Sequence, residues 1–513
     1  MAPATARPAP DSRVPVEVCV AIIGRWDTNQ EKQVASAFEA VREELEEVLD
    51  RSPATFTLAS GVEPEQQRLW AKTDSKPAAT AGTLGRWLPA EARRYFRSFK
   101  TVRARTRFVK LLRAVTENPS NPPDANRALA EQAIRNCDVL IAIWTPPAGL
   151  IPPGAAQLIS FALEKVGRTL YWIDPSTGKI KRYDNYDGFI DWTRHLNLYN
   201  GAHVPPGRIA DGVNSEIARL EKLASKSGLP AAGLKPLYER VLPHFVRAEH
   251  LASWWQRLYL GAGFLMYLLA AVAVATGTYA TLKQANAAFV EVAEMATILL
   301  IICFSELLEM LRRWLDYRFL AERLRAAIHL YVAGLASKVA GAGSGQWMNR
   351  ALVWICNTPA PQLAGDLEAV KNFSLKGWIE HQGKYYFDRS RELEKRQTIC
   401  LLLGIVLFIV AAVGAFFHGI GHLGRQEWWE GMAIIAPACG AAVAGFRSFR
   451  EFRRTSLEYG GMVLKLNQIA DRLKQAPTPE EVKNLLIQAN DTISQEHQGW
   501  RVLVHVHEPI EEL

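Results

Sequence analysis

Two uncharged runs constrain the fold of this chain more than any other feature of its sequence. Residues 258–282 (LYLGAGFLMYLLAAVAVATGTYATL) and residues 397–424 (QTICLLLGIVLFIVAAVGAFFHGIGHLG) contain no Asp, Glu, Lys or Arg. An apolar helix of about 20 residues, rising about 1.5 Å per residue, crosses the hydrocarbon core of a bilayer. Both runs are therefore predicted to be transmembrane helices.

A weaker apolar segment follows each of these runs after a short loop. Residues 292–311 carry glutamates near both ends, and residues 431–446 are short and rich in Ala and Gly. Two antiparallel spans joined by a short loop form a hairpin, so each weaker segment is predicted to complete one; a buried core helix is the alternative. The chain from residue 236 onwards is thus predicted to be an all-α region with four transmembrane helices and long cytoplasmic helices. It divides into a first hairpin region, 236–350, and a second, 351–513.

Basic residues are distributed unevenly around these four segments. The loops inside the two hairpins hold one basic residue each, Lys283 and Arg425, whereas the opposite ends of the segments are rich in arginine and lysine. Cytoplasmic flanks of membrane helices carry such an excess, so both termini and the central linker are predicted to be cytoplasmic. The net charge of +8 is then explained mainly by these basic cytoplasmic flanks, which also contact anionic lipid. We therefore expect the lipid bilayer, not nucleic acid, as a partner.

The fourth segment carries small residues at every fourth position, namely Ala436, Gly440 and Ala444. Small residues at this spacing allow two membrane helices to approach closely. The spacing predicts helix packing there, either within the chain or between subunits of a homo-oligomer.

The six cysteines are scattered, without a CxxC pair and without histidines at metal-ligand spacing. Neither a disulfide framework nor a metal site is therefore expected. Residues 1–13 lack the apolar core of a signal peptide and are predicted to be a disordered tail.

Residues 14–235 alternate between strand and helix patterns. Apolar runs at 16–24, 55–61, 138–144 and 169–174 read as strands, and amphipathic or helical stretches lie between them. Strands separated by crossover helices are typical of an α/β fold with a doubly wound, mostly parallel sheet. We therefore expect this part of the chain to be a cytosolic α/β domain.

The carboxyl ends of the predicted strands are the expected ligand edge, because open parallel sheets bind ligands there. Glycines at this edge let a ligand approach the backbone, and the helices that follow offer N-terminal amides to a phosphate. Simple turns, a solvated arginine and glutamates that stabilise a helix start are the alternatives. No catalytic set is recognisable by spacing. The candidate ligand-binding residues are Gly24, Arg25, Ser60, Gly61, Glu63, Trp144 and Gly154.

The stretches VCVAIIGRWD, WLPAEARRYFRSF and NCDVLIAIW, followed by PPGAAQLISFALEKVGRTLYWID, resemble the SLOG superfamily. This superfamily is related to the nucleotide-sensing domain of TRPM-type channels and to LOG-type nucleotide hydrolases. The stretch LKGWIEHQGKYYFDRSRELEKRQ, the hairpin after it and QEHQGW resemble the SLATT membrane domain. The resemblance implies a bacterial sensor-effector of the cytoplasmic membrane, in which a nucleotide second messenger binds the N-terminal domain and a pore forms in antiphage defence or stress signalling.

The chain departs from the SLOG pattern at two places. Gly24-Arg25-Trp26 stands where Gly-His-Arg is usual, and Gly154-Ala155-Ala156 stands where a glycine pair and a threonine are usual. LOG-type hydrolases also carry a glycine-rich motif followed by a catalytic arginine and glutamate, and this set has no counterpart that we can place in the sequence. We therefore expect ligand sensing without a resident cofactor in preference to hydrolysis, with altered or lost ligand binding as an alternative. Two other hypotheses stay open. One is a membrane-anchored nucleotide N-glycosidase or deoxyribosyltransferase using Glu63 or Glu65, and the other is a scaffold that has lost its ligand.

Overall fold

The computed structural model describes most of the helical part of the chain and the strands of the N-terminal part. The described residues are 12–24, 28–49, 52, 54–60, 134, 137–143, 161–166, 168–183, 189–283, 287–339, 346–357, 367–421 and 426–507. They divide into two compact units. The sheet unit comprises Arg13–His203 and Ser344–Trp354, and the helical unit comprises Ser12, Val204–Gly343 and Ile355–Leu513.

The sheet unit is built on five strands in the order β2-β1-β3-β4-β5. Neighbours among the first four strands pair in parallel, and β5 pairs antiparallel with β4. The five residues of β3 are all buried, as expected of a central strand covered on both faces. The strands are β1 (Val16–Gly24), β2 (Ala54–Ser60), β3 (Val139–Ile143), β4 (Thr169–Ile173) and β5 (Ile180–Tyr183).

Apolar side chains of β1, β3 and β4 form a core with one helical turn. Ala21, Leu140 and Leu170 are buried together with Ala162 of the π-helical turn Phe161–Lys165. Helix α1 (Glu31–Val48) also contacts β4 and buries an apolar stripe of its own. Most of the chain between β2 and β4 lies outside the described residues, so the doubly wound arrangement stays a prediction.

Two further helices belong to the sheet unit. Helix α2 (Phe189–Gly201) follows β5, and Asn200 on it ties distant segments together. The side-chain oxygen of Asn200 accepts from the Val14 amide at 2.8 Å, and its nitrogen donates to the Ser52 hydroxyl at 2.9 Å. Helix α8 (Gln346–Ile355) joins this unit from far along the sequence, and Trp347 packs on Tyr199 at 5.4 Å between ring centroids.

The helical unit contains most of the remaining helices. The unit boundary at His203 differs from the predicted domain boundary at residue 235, because the helix Pro206–Ser227 packs with the helices Leu242–Lys283 and Leu367–Ser374. Its helices are α3 (Pro206–Ser227), α4 (Lys235–Arg240), α5 (Leu242–Lys283), α6 (Ala288–Leu307), α7 (Met310–Tyr331), α9 (Leu367–Ser374), α10 (Glu380–Ile420), α11 (Gln426–Phe449), α12 (Phe452–Gln475) and α13 (Pro479–His507).

The burial pattern of α5 changes partway along its length. From Leu242 to Trp255 its apolar side chains are buried at helical spacing, whereas Phe264, Leu268 and Val272 are exposed. Helix α10 changes in the same way, from buried Tyr386 and Leu393 to a stretch in which Leu402, Val406 and Ile409 are exposed. Large apolar surface of this extent is stable only against lipid or another protein. Each helix therefore has one end that packs within the protein and one end suited to a bilayer.

Three described helical segments are long and apolar enough to cross a membrane: Leu242–Lys283, Leu367–Ile420 and Gln426–Gln475. They contain the first, third and fourth predicted spans. The second predicted span, 292–311, crosses a break, because α6 ends at Leu307 and Glu309 adopts a left-handed conformation with φ 48°. Helix α6 is strongly apolar but also carries three carboxylates within 20 residues, Glu291, Glu294 and Glu306. Its crossing of the membrane therefore stays a prediction.

A buried histidine lies in the cytoplasmic core predicted for the helical unit. His329 is 1% exposed and stacks on Trp378 at 5.9 Å, with Phe373 at 5.5 Å. Burial, reinforced by Arg219, Arg325 and His381, holds the pKa of His329 well below its usual value. His329 is therefore neutral in the folded protein.

Acidification is expected to destabilise the helical unit through His329. The unfolded chain binds a proton below the ordinary histidine pKa of about 6.5, whereas the folded chain does not, so stability falls as pH drops through that value. His329→Phe should therefore reduce the loss of thermal stability between about pH 7.5 and about pH 5. The exposed residue His203 provides the control, and an unchanged pH profile for His329→Phe would contradict the assignment.

Candidate functional site

The carboxyl ends of four parallel strands meet at one edge of the sheet. Gly24, the last residue of β1, lies opposite Ile143, the last residue of β3, and Ser60, the last residue of β2, lies opposite Ile22. The sheet thus brings Gly24 and Ser60 to the predicted ligand edge, next to the point where β3 ends. The other candidate residues lie outside the described residues: Arg25, Gly61, Glu63, Trp144 and Gly154.

Asp174 lies at the same edge, directly after β4, and the sequence reasoning did not select it. Its carboxylate accepts from the Ser176 amide at 2.9 Å, the Ser176 hydroxyl at 2.6 Å and the Thr177 hydroxyl at 2.7 Å. Burial alone would raise the pKa of Asp174, but these hydrogen bonds hold it below its usual value. Asp174 therefore shapes the β4–β5 turn, and a strand end followed by Asp-Pro-Ser-Thr-Gly is the signal that could have identified it.

Replacing Asp174 with alanine is expected to loosen this turn. Loss of one hydrogen bond to a charged group costs about 1.5–3 kcal/mol of stability. The three bonds lie in one short turn and are not independent, so we expect a total loss of about 2 kcal/mol. Hydrogen exchange of the Ser176 and Gly178 amides should accelerate in the variant. Thr177→Ala, which removes one of the three bonds, should produce a smaller change, and equal changes would contradict this account.

The opposite edge of the sheet is closed by an ion pair. Asp138, directly before β3, accepts from the Cys19 amide at 2.8 Å and from both terminal nitrogens of Arg350, one of them at 3.0 Å. The Arg350 guanidinium also lies 4.5 Å from the centre of the Trp192 ring. Asp138 thus holds helix α8 against the sheet. It sits at the amino end of its strand, away from the predicted ligand edge.

The second hairpin packs through close contacts between α10 and α11. A side chain at Gly414 would place its Cβ 2.9 Å from the Ala433 nitrogen and 3.0 Å from the Trp429 carbonyl oxygen, so only glycine fits there. Gly440 and Ala436 are buried, and Gly440 faces Phe408. Two members of the predicted small-residue row therefore pack inside the chain.

The third member of that row behaves differently, because Ala444 is exposed. The neighbouring Gly445 instead makes a close contact with the Tyr267 ring of α5, and Gly263 of α5 makes one with Phe449 of α11. The α5–α11 contact thus joins the first hairpin to the second. The sequence spacing predicted one packing face formed by all three small residues. It did not indicate that, near the end of α11, the adjacent Gly445 makes the contact and that its partner is α5.

Two polar contacts between described residues join α5 to neighbouring helices near the loop ends of the hairpins. Thr276 of α5 donates to Glu294 of α6 at 3.0 Å, and Lys283 at the end of α5 pairs with Glu427 at the start of α11. Among the described residues, no group of three His, Cys, Asp or Glu side chains is placed to bind a metal ion. The candidate functional elements are therefore the sheet edge and the paired hairpins.

Comparison with known families gives one result. Residues 375–500 match the family model of the SMODS and SLOG-associating 2TM effector domain 1. The match covers α10 and α11, the second hairpin, together with α12 and most of α13. Comparisons with curated proteins and with solved structures gave no match. The matched region is thus similar to an effector domain with two transmembrane helices, and the SLOG-like identity of the N-terminal part stays a prediction.

Proposed function

We propose that this protein is a sensor-effector of the bacterial inner membrane. In this proposal the sheet unit binds a nucleotide-like signal in the cytoplasm, and the hairpins respond by forming a pore or disrupting the membrane in defence or stress signalling. The observation that carries the proposal is the match of residues 375–500 to a 2TM effector domain, on a hairpin whose outer surface is apolar. Both termini are cytoplasmic in this arrangement.

The sensing half of the proposal rests on the sheet edge. Parallel strands bring Gly24, Ser60 and the end of β3 together, which is where ligands of open parallel sheets bind. In this proposal a ligand approaches the backbone at Gly24, which has no side chain. In this proposal Arg25 contacts a phosphate and Trp144 stacks on a base.

In this proposal, helix α8 couples ligand binding in the sheet unit to the response of the helical unit. The chain leaves the helical unit at Gly343, contributes Ser344–Trp354 to the sheet unit and returns at Ile355. Arg350 on this excursion is bound to Asp138, at the start of the same strand whose other end lies at the ligand edge. A shift of β3 upon ligand binding would therefore act on a segment whose two ends continue into the helical unit.

The effector half requires more than one copy of the chain. Within one chain, glycines bring α11 into close contact with α5, through Gly263 and Gly445, and with α10, through Gly414, and no channel is formed between these helices in the described residues. A water-filled pore therefore needs the hairpins of several chains, so the proposal includes a homo-oligomer. Its exposed apolar surfaces face lipid and neighbouring copies.

Nucleotide binding by the purified full-length protein tests the sensing half. Thermal stabilisation by one nucleotide of a panel, with the nucleotide recovered intact, is the expected result. Release of a free base would instead establish the N-glycosidase or deoxyribosyltransferase alternative. Absence of stabilisation by every nucleotide would contradict sensing and favour the scaffold.

Arg25→Ala is expected to weaken binding of the nucleotide found in that panel. Loss of a charged hydrogen bond to a phosphate costs about 1.5–3 kcal/mol, or roughly tenfold to a hundredfold in affinity. Lys181→Ala, which removes an exposed basic residue from β5, is the matched control and should bind normally. Equal affinity of Arg25→Ala and the wild type would remove Arg25 from the site.

A further inference from the structure

A group of arginines lies at the predicted cytoplasmic end of the second hairpin. Arg396 directly precedes the apolar run of α10, and Arg450 directly follows α11. On the cytoplasmic side the Ser390 hydroxyl of α10 donates to the Ser456 carbonyl oxygen of α12 at 2.9 Å, and toward the membrane Gly440 of α11 lies against α10. Because the chain runs antiparallel to α10 between these two contacts, Arg450 lies at the level of Arg396.

This group carries more positive than negative charge. Arg389 and Arg396 both pair with Glu392, one turn away from each on the same helix. The Arg450 guanidinium lies 5.3 Å from the centre of the Phe452 ring, and among the described residues it has neither a carboxylate at ion-pair distance nor a hydrogen-bond acceptor. Three guanidinium groups thus share one carboxylate, which leaves an excess of two positive charges.

Two acids follow Arg450 in the sequence, but both face a different arginine. Glu451 and Glu458 pair with Arg454, at 3.8 Å and 3.0 Å. The charge of Arg454 is therefore balanced within the protein, whereas that of Arg450 is not.

The titration of Arg450 agrees with this charge balance. Burial lowers the pKa of Arg450, and the positive charges of Arg396 and Arg389 lower it further. The negative charge of Glu392 acts in the opposite direction but does not compensate. The positive groups are therefore close enough to repel one another, and an anion among them would relieve that repulsion.

The surface of α10 beyond Arg396 is apolar and exposed. Ile399, Leu403 and Val406 follow Arg396 at helical spacing, so they lie on the same face of α10. Their exposed fractions are 53%, 45% and 54%. A positively charged group with an exposed apolar strip directly beyond it matches the two parts of an anionic phospholipid, the headgroup and the acyl chains. A water-soluble phosphate would leave the strip uncovered.

We propose that Arg396 and Arg450 bind the headgroup phosphate of one anionic phospholipid, whose acyl chains lie along the apolar strip of α10. Arg389 adds positive charge on the cytoplasmic side. Both binding side chains are at least partly exposed, and a guanidinium stays charged and offers parallel donors to phosphate oxygens. A headgroup held by both arginines ties together the two cytoplasmic ends of the hairpin. Binding at this site requires that the hairpin lie in a bilayer, but it depends neither on nucleotide sensing nor on a pore.

Thermal unfolding of the full-length protein in a neutral detergent tests the site, with phosphatidylglycerol and phosphatidylcholine of identical acyl chains as probes. The melting temperature should rise and saturate with phosphatidylglycerol and rise less with phosphatidylcholine. Inorganic phosphate at equal ionic strength should not reproduce the rise. Arg450→Gln should increase the phosphatidylglycerol concentration at half-maximal effect by about tenfold or more. Lys395→Gln, which removes the same charge from an exposed neighbour of Arg396, should leave that concentration unchanged.

Three results would overturn the proposal. The first is a wild-type protein that responds equally to the two lipids, and the second is a response to inorganic phosphate as large as that to phosphatidylglycerol. The third is an equal loss in Arg450→Gln and Lys395→Gln, which would show a diffuse effect of charge. If Arg450→Gln does not fold, Arg396→Gln takes its place, because that side chain is 47% exposed. A tenfold loss in Arg396→Gln supports the site, and an unchanged half-maximal concentration contradicts it.

Discussion

Gly414→Leu is expected to separate the two helices of the matched effector hairpin. The nearest atoms to a new side chain are backbone atoms of α11, the Ala433 nitrogen and the Trp429 carbonyl oxygen, and these cannot rotate away. Overpacking costs about 1–3 kcal/mol where side chains can adjust, so we expect at least about 3 kcal/mol here. Thermal unfolding in detergent should show a large decrease in melting temperature, and any effector activity should be lost with it.

Gly404 provides a matched control on the same helix. No atom lies within 4 Å of a Cβ built there, so Gly404→Leu adds the same side chain to α10 without a clash. Gly404→Leu should retain the melting temperature of the wild type. If both variants behave alike, the hairpin does not pack through Gly414 and the helix pairing described above is wrong.

Arg350→Gln is expected to have the second large effect, in the sheet unit. The variant leaves the Asp138 carboxylate, whose side chain is 3% exposed, with the Cys19 amide as its main remaining donor. Breaking a buried ion pair costs about 3–5 kcal/mol, and because Arg350 is about one-third exposed we expect a loss near the lower end. Helix α8 should detach from the sheet, which hydrogen exchange of residues 346–354 would report.

The exposed ion pair between Arg182 and Glu44 is a control, because it separates the effect of burying a charge from the effect of losing an ion pair. Both side chains are more than a third exposed, so Arg182→Gln should cost less than about 1 kcal/mol. A similar loss of stability in the Arg182 and Arg350 variants would show that Asp138 is not a buried anchor. Asp138→Asn with Arg350→Gln should recover part of the stability, because no buried charge is then left unpaired.

Much of the architecture was accessible from local sequence patterns. The four parallel strands are short apolar runs, and the transmembrane candidates are long ones, so both follow from hydrophobic periodicity and length. Strand β5 was missed because IKRY is short, polar and exposed, which gives no apolar pattern. The break at Glu309 was also missed, since a left-handed residue leaves no trace in hydropathy.

The functional arrangement was accessible only in part. Strand ends predicted the shared edge of Gly24 and Ser60, because the carboxyl ends of parallel strands must meet there. The Asp138–Arg350 pair joins positions 212 residues apart, and no local pattern connects them. Likewise, Arg318 and Arg325 of α7 pair with Glu322, whereas Arg323 donates to Ser494 of α13, and this division depends on which face of the basic helix is turned to α13. Sequence periodicity places all three arginines on one helix but does not assign their partners.

The central claim is that the sheet unit controls a membrane effector. It is tested most directly by ion flux from vesicles that contain the purified full-length protein and a voltage-sensitive dye, with the nucleotide identified by thermal stabilisation added on the cytoplasmic side. The account predicts a nucleotide-dependent flux that is weakened in Arg25→Ala and lost in Gly414→Leu. A flux of equal size with and without the nucleotide, or no flux with a bound nucleotide, would contradict it.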